Sequence, residues 1–239
     1  MYAFAPLSDV VGAAGTVLAG LAGLLEPLTG GAATAAAIVV FTVAVRLLIS
    51  PLTVAQVRGE RRRAALAPRV RELQRRYADE PARLQAELLV LYRSAGAGPL
   101  TGCLPLLLQA PFLLVAYRLF TTDEGGTGLL DERLAGVPLG HQLGDGLGGA
   151  VVPLFGVLLV ALLVLAWWTS RRMRRGAPPA AAGTPGGETL ARLLPLLPYT
   201  TVLVALVLPL AAVIYLATTT AWSGLEQAVL RRPSAGARI

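Results

Sequence analysis

Apolar stretches separated by polar segments predict that this chain of 239 residues crosses a membrane five times. At a helical rise of about 1.5 Å per residue, roughly 20 residues cross the hydrocarbon core of a bilayer. The last two stretches share one apolar run, which Pro209 divides into two short helices, so we expect local thinning of the bilayer beside them. The predicted spans are residues 33–53, 100–121, 150–170 and the two halves of the hairpin 192–230. The predicted fold is therefore an all-α polytopic membrane protein.

The distribution of arginine predicts the orientation of these spans. Only 15% of the residues are charged, and arginine supplies all 21 of the basic ones. Positive residues concentrate on the cytoplasmic side of membrane proteins. The arginine-rich segments 54–99, 171–191 and 231–239 are therefore expected inside the cell, and the segments 1–32 and 122–149 outside. This arrangement places the N-terminus outside and the C-terminus inside, and it attributes the basic charge to topology rather than to nucleic-acid binding.

The N-terminal segment 1–32 predicts an amphipathic helix on the outer surface of the membrane. Its larger apolar residues recur at helical spacing between Leu7 and Leu25, opposite small and polar residues such as Asp9 and Gly12. A helix with one apolar face lies in the interface rather than across the bilayer. The alternative of a sixth span stays open because the polar face is weak, although a sixth span places an uncharged N-terminus inside.

The long cytoplasmic segment 54–99 predicts a helical hairpin. Two apolar stripes at helical spacing are separated by a turn at Asp79, and Pro81 suits the first turn of the second helix. The alternative is a single nucleic-acid-binding helix, but the interleaved acids and the turn favour the hairpin. The stripes are Leu66, Val70, Leu73 and Tyr77, followed by Leu84, Leu88 and Leu91.

The available side chains exclude several classes of function. Without any lysine, the chain has no Walker A motif and no Schiff-base nucleophile. The single histidine, His141, and the single cysteine, Cys103, are too few for a zinc site of the usual kind. The apolar runs of the predicted spans carry no Asp or Glu, and the last of these runs ends near Trp222. We therefore expect no enzymatic activity, no metal and no cofactor, and we interpret Cys103 as a packing residue.

Arg46 is the one charge well inside a predicted span. A charge at that depth is costly unless it faces protein or water, so it is a functional hypothesis by default. Two interpretations remain: the side chain extends to the cytoplasmic interface, or it faces a wet cavity open to the cytoplasm. Polar residues of the spans that are available to such a cavity are Thr42, Gln109, Tyr117, Thr200, Thr201, Tyr215, Thr218, Thr219 and Thr220.

Three motifs resemble the YidC-type membrane protein insertases. The first is TVAVRLLISPLTVAQ at the end of the first span, and the second is GCLPLLLQAP after the hairpin. The third is the closing apolar run LLPLLPYTTVLVALVLPLAAVIYLATTTAW, with proline at its turn and Tyr215 in its last span. The chain differs from the family pattern at Gly98, where the family usually has Asn. It also differs at Leu216, where an aromatic residue often follows the tyrosine.

The resemblance implies an insertase and chaperone of the bacterial plasma membrane, similar to the compact members of Gram-positive bacteria. It implies a hydrophilic groove open to the cytoplasm and to lipid, and a face along which a client's apolar segment slides. Implied partners are nascent membrane proteins and the lipid bilayer, with the ribosome and the Sec translocon as candidate partners. The groove residues that match the family are Arg46, Thr42, Gln109 and Tyr215, and the residues on the sliding face are Ala110 and Pro111.

One alternative function stays open, a small membrane transporter or channel that uses Arg46 as an anion site. Transporters commonly contain repeated halves with broken helices that meet near mid-membrane. The sequence contains no repeat convincing enough to support that architecture, so insertion is the favoured function.

Overall fold

Helices dominate the computed structural model, which describes residues 5–96, 114–121, 128–176 and 193–230. They hold 83% of these residues, so the predicted all-α class is confirmed. The α-helices within the described ranges are α1 (Ala5–Thr29), α2 (Ala33–Ala65), α3 (Ala67–Arg76), α4 (Pro81–Ser94), α5 (114–121), α6 (Val151–Gly176), α7 (Leu197–Ala205) and α8 (Leu210–Leu230). Short 3-10 turns lie at Gly30–Ala32, Leu143–Asp145 and Leu194–Leu196.

Two helical stretches in the described part of the chain are long and apolar enough to cross a bilayer. One is Ser8–Gly59, which joins α1 to most of α2, and the other is Val151–Arg174 in α6. Leu194–Ala205 is a shorter apolar helix. Most of the second predicted span, residues 100–113, lies outside the described residues. The number of five spans therefore stays a prediction.

α1 and α2 form an antiparallel hairpin whose turn is Gly30–Ala32. Near this turn, Glu26 of α1 shares a cavity wall with Thr34 of α2. Toward the other end of α1, Val10 lines a second cavity together with Arg46. α1 and α2 pack against each other more extensively than any other two of the described elements. α1 therefore runs beside α2, whereas an interfacial helix would meet only one end of α2.

The apolar stripe of α1 is only partly buried. Val11 and Leu18 are fully buried, whereas Val10 and Leu24 of the same stripe are exposed. On α2, the small residue Ala37 is fully buried, and small residues allow membrane helices to approach closely. With 25 residues, α1 is about 37 Å long, enough to cross a bilayer. The length of α1 and its packing along α2 are compatible with a sixth span, and its place relative to the membrane stays a prediction.

α2 continues well past Thr53, where the first span was expected to end. Pro51 lies inside this helix, where its missing N–H leaves the carbonyl of Leu47 without its usual intrahelical donor. The helix nevertheless extends to Ala65. The first arginines of the basic segment, including Arg61, therefore lie on an extension of α2 rather than on the hairpin.

The rest of the basic segment contains α3 and α4, which pack against each other as a hairpin. Tyr77, at the turn between them, lies beneath two guanidinium groups, those of Arg76 at 5.8 Å and Arg83 at 5.2 Å from the ring centre. The carboxylate of Glu80 accepts a hydrogen bond from Arg83 at 3.3 Å, which raises the pKa of that arginine. Val70 of the first predicted stripe is buried.

α6 packs against both α7 and α8. The helix break at Pro209 lies where the sequence predicted it, but the two helices are unequal, with 9 residues in α7 and 21 in α8. α6 and α8 approach closely at Gly224, where a Cβ atom would lie 2.8 Å from the ring of Trp168. Only glycine fits this contact without a shift of the indole.

A short β-hairpin folds over one end of the helices. Its strands are β1 (Arg133–Leu134) and β2 (Val137–Pro138), and they pair antiparallel. β1 packs against the Gly30–Ala32 turn between α1 and α2. The loop that contains this hairpin, residues 128–149, therefore marks one end of the bundle, which we call the loop end.

Two carbonyl groups of the same loop cap the N-terminus of α8. The carbonyl of His141 accepts a hydrogen bond from the N–H of Leu210 at 3.0 Å, and that of Leu139 accepts one from Ala211 at 2.9 Å. The first N–H groups of a helix have no intrahelical acceptor, so these bonds satisfy donors that α8 cannot satisfy itself.

Arginines tie three helices together at the opposite end of the bundle, which we call the arginine end. Arg61 of α2 donates to the carbonyl of Leu230, and Arg172 of α6 donates to the carbonyl of Gln227 at 2.8 Å. The last carbonyls of a helix lack intrahelical donors and form the negative end of the helix dipole, so cations are favourable there.

Candidate functional site

A cavity of about 720 Å³ lies between α1, α2, α5 and α8. Thr42 and Tyr215 line it toward the loop end, and Gln56 and Gln227 line it toward the arginine end. Arg46, the residue on which the sequence-based function rests, lines its middle part. The cavity therefore runs lengthwise along the bundle.

The two sides of this cavity differ in chemistry. Among the described lining residues, all nine polar ones belong to α2 and α8, whereas α1 and α5 contribute only apolar side chains and α2 adds five apolar residues of its own. An occupant with one polar and one apolar part can therefore satisfy both sides at once. The polar residues are Thr42, Arg46, Thr53, Gln56, Tyr215, Thr219, Ser223, Glu226 and Gln227, and the apolar residues of α1 and α5 are Val10, Ala14, Val115, Ala116, Leu119 and Phe120.

Arg46 is held in the cavity by a hydrogen bond between helices. Its Nε–H donates to the hydroxyl oxygen of Thr219 on α8 at 2.8 Å, in a half-buried position. No acidic side chain in the described part of the chain forms an ion pair with it. A guanidinium group has five N–H donors, so this single bond leaves donors for a ligand that carries oxygen.

Glu226 is a cavity residue that the sequence analysis missed. Its carboxylate accepts a hydrogen bond from the hydroxyl of Ser50 on α2 at 2.7 Å. The last apolar run ends near Trp222, but α8 continues to Leu230 and carries Glu226 on the same helical face as Thr219. The sequence pattern that could have identified Glu226 is the spacing of four, four and three residues from Tyr215 through Thr219 and Ser223 to Glu226. This spacing follows one face of a helix.

Thr42 and Tyr215, which were both predicted as groove residues, line the cavity near Arg46. Thr42 is only 3% exposed, and its hydroxyl donates to the carbonyl of Ile38 at 2.6 Å. The ring of Tyr215 packs against that of Phe120, with ring centres 5.6 Å apart. These two residues therefore shape the cavity at the loop end.

Three predicted site residues, Gln109, Ala110 and Pro111, lie outside the described residues, so their roles stay predictions. Of the other polar residues singled out from the sequence, Thr219 lines the cavity, whereas Tyr117, Thr200 and Thr201 do not. Tyr117 is 58% exposed, and Thr200 bonds to a carbonyl of its own helix.

The loop end of the cavity is densely packed. Ile38, Phe120, Leu210 and Val213 are almost completely buried there, next to the loop that caps α8. At the arginine end, by contrast, the lining residues Gln56 and Gln227 are polar and half-buried, in line with access to water. In the part of the chain that the structure describes, no group of three His, Cys, Asp or Glu residues could hold a metal ion.

Comparison with known proteins identifies the family. The family model described as "60Kd inner membrane protein" matches residues 24–236. The chain is similar to the membrane protein insertase YidC of Chlorobium limicola, with 41% identity over 86 residues, and to the membrane protein insertase YidC of Chlamydia caviae, with 43% identity over 86 residues.

These matches cover 36% of this chain and only 15% and 11% of the two relatives. The family model, in contrast, spans most of the chain and includes the cavity-lining parts of α2, α5 and α8. The predicted location in a bacterial plasma membrane is confirmed. The chain belongs to the 60Kd inner membrane protein family.

Proposed function

We propose that this protein is a membrane protein insertase that also assists the folding of its clients. The observation that carries the proposal is the position of Arg46, half-buried in a cavity with one polar and one apolar side. A nascent membrane protein has a polar segment to translocate and an apolar segment to release, which suits these two sides. The names of the two relatives support the same activity.

The orientation that we propose places the arginine end in the cytoplasm and the loop end outside. Arg61 and Arg172 lie together at the arginine end, together with the hairpin of α3 and α4 that follows α2. The positive-inside rule assigns such a basic surface to the cytoplasm. We propose five spans in α2, 100–121, α6, α7 and α8, with the C-terminus inside. The packing of α1 along α2 supports α1 as a further membrane helix in place of the outer interfacial helix.

The polar step of insertion starts from the cytoplasmic side. An acidic or polar client segment loses part of its hydration when it leaves water, which is costly unless other polar groups replace it. Arg46 supplies charge and hydrogen-bond donors within the bilayer, and Thr219 holds its guanidinium in place. The attraction between unlike charges is stronger in this half-buried site than in bulk water.

The apolar step uses the opposite side of the cavity. Apolar residues of α1 and α5 offer a surface along which a client helix moves toward lipid. We propose that Gln109 contributes to the groove and that Ala110 and Pro111 extend the sliding face. Burial of the client's apolar surface drives the transfer, so no cofactor or energy source is required.

Partners follow from the same arrangement. Clients are nascent membrane proteins, and the basic hairpin of α3 and α4 offers a surface for the ribosome. The Sec translocon is a candidate partner, and no specific nucleic-acid sequence is expected. A transporter or channel that uses Arg46 as an anion site predicts solute flux that disappears in Arg46→Ala, whereas the insertase needs no such flux.

Site-specific photo-crosslinking tests the proposed function. A photoreactive residue at Ala116 on the apolar side of the cavity should trap a stalled single-span client, several-fold above the same residue at Val157. Val157 of α6 is 70% exposed and does not line the cavity, so it is the matched control. Equal yields at the two positions would contradict a client path through the cavity.

A further inference from the structure

The cavity contains two opposite charges that do not pair with each other. Among its described lining residues, Arg46 is the one cation and Glu226 the one anion. Each is held by a hydroxyl group of the facing helix: Arg46 of α2 bonds to Thr219 of α8, and Glu226 of α8 bonds to Ser50 of α2. Hydroxyl partners fix the positions of the two charges without neutralising them.

The two charges are separated along the length of the cavity. The anchoring positions differ by four residues on α2, from Arg46 to Ser50, and by seven on α8, from Thr219 to Glu226. At a rise of 1.5 Å per residue these offsets correspond to about 6 and 10 Å. The cavity therefore has a positive site toward the loop end and a negative site toward the arginine end.

We propose that Glu226 is a specificity-determining residue that binds a basic residue in the translocated segment of a client while Arg46 holds an acidic residue just ahead of it. This inference rests on the proposed insertase function and on the orientation with the arginine end in the cytoplasm. The client class is a membrane protein whose translocated segment carries an acid with a base close behind it, and we call the residues that follow the acid its flank.

The spacing of the two sites sets the spacing of charges in the client. An extended chain advances about 3.3 Å per residue, so an acid and a base two or three residues apart fit both sites. In a helical client the same distance corresponds to about four to seven residues. A client with only acids meets Glu226 as a like charge at the entrance, which opposes its entry.

The cations at the entrance cannot bind a basic client residue as Glu226 does. Arg61 and Arg172 lie at the arginine end, but both donate to carbonyls at the C-terminus of α8. Their charges favour acidic segments in general. Glu226 is the group that distinguishes a basic flank from a neutral or acidic one.

Glu226→Gln is the variant that removes the charge and keeps the contact. The amide oxygen of glutamine can still accept the hydroxyl hydrogen of Ser50, so the tie between α2 and α8 is retained. A unit charge in direct contact with a basic client residue, about 4 Å away in a half-buried, wet site, changes an equilibrium on the order of tenfold. Glu226→Arg reverses the site and provides a rescue design.

The test compares four single-span clients with the full-length protein in vesicles of phosphatidylethanolamine and phosphatidylglycerol. All clients share one apolar segment. Three of them carry an acid in the translocated segment with a basic, neutral or acidic flank two or three residues behind it, and the fourth is neutral at both positions. We expect Glu226→Gln to reduce insertion of the basic-flank client about five- to tenfold relative to the neutral-flank client. We expect it to increase insertion of the acidic-flank client, and we expect Glu226→Arg to insert the acidic-flank client better than the basic-flank one.

The outcomes separate this inference from the proposed function. If the wild-type protein inserts none of the four clients above empty vesicles, the insertase function fails. If it inserts them and Glu226→Gln changes all clients by the same factor, insertion stands and the specificity role of Glu226 is overturned. Failure of Glu226→Arg to reverse the preference between basic and acidic flanks likewise overturns it.

Discussion

The Nε–H of Arg46 donates to the hydroxyl of Thr219 across the interface between α2 and α8, at 2.8 Å. Of the two interpretations that the sequence left open for Arg46, this bond favours the one in which the side chain faces a cavity. A side chain that extended to the membrane surface would have its donors in water, whereas this guanidinium is bonded inside the bundle beside a cavity. The charge in α2 is therefore positioned by a second helix.

Thr219→Val should weaken insertion of clients with acidic translocated segments about three- to tenfold, because the guanidinium of Arg46 loses its anchor on α8. Initial insertion rates into reconstituted vesicles measure this effect. Thr218→Val is the matched control, since the hydroxyl of Thr218 donates to the carbonyl of Ile214 in its own helix. Equal rates for Thr219→Val and Thr218→Val would show that the anchor is irrelevant to insertion.

Gly224→Ala should destabilise the packing of α6 on α8 by about 1–3 kcal/mol, because the new Cβ lies 2.8 Å from the ring of Trp168. Thermal unfolding in detergent micelles measures the loss. Gly156→Ala on α6 meets no atom within 4 Å and should be neutral or slightly stabilising. Trp168→Leu in the Gly224→Ala background should recover part of the stability, and an unchanged melting temperature for Gly224→Ala would contradict the tight contact.

Arg172→Ala should loosen the last turn of α8. Its guanidinium donates to the carbonyl of Gln227 at 2.8 Å and lies 5.4 Å from the ring centre of Trp168. Loss of a cation at a helix C-terminus costs about 1 kcal/mol, or about fivefold in local opening. Hydrogen exchange of a peptide covering 224–230 should accelerate accordingly. Arg171→Ala, which removes a cation from Trp167 of the same helix, should leave that exchange unchanged.

α1 should be accessible from the cytoplasmic side at its N-terminal end, because it runs antiparallel to α2 from the Gly30–Ala32 turn. Single cysteines in a Cys103→Ser background can be labelled on intact cells with a membrane-impermeant maleimide. Ser8→Cys should be protected like Ala78→Cys in the hairpin turn, whereas Ala135→Cys in the β-hairpin should react. Labelling of Ser8→Cys from outside would instead support the interfacial helix expected from the sequence.

The sequence was sufficient where a local pattern carries the information. Thr42 and Arg46 are four residues apart and therefore share one face of α2, and both line the cavity. The break at Pro209 follows from the missing N–H of proline and is also observed. Predictions of this kind depend on periodicity and backbone chemistry within a single helix.

Those local patterns could not predict contacts between segments that are distant in the sequence. The hydrogen bond between Ser50 and Glu226 joins residues 176 positions apart, so neither local sequence predicts it. The same holds for α1, whose apolar residues fit an interfacial helix and a packed one equally well until its partner is known. Its burial of Val11 and Leu18 depends on the partners it meets in the folded bundle.

The most direct test of the central claim is protease protection of a single-span client with an acidic translocated segment, synthesised in the presence of vesicles that contain the purified protein. The account predicts a protected fragment with the wild-type protein and about a tenth of that amount with Arg46→Ala, at equal reconstituted protein. It also predicts that a client with a neutral segment is affected much less. Protection in empty vesicles equal to that with the protein, or equal protection with the wild type and Arg46→Ala, would contradict the claim that Arg46 drives insertion.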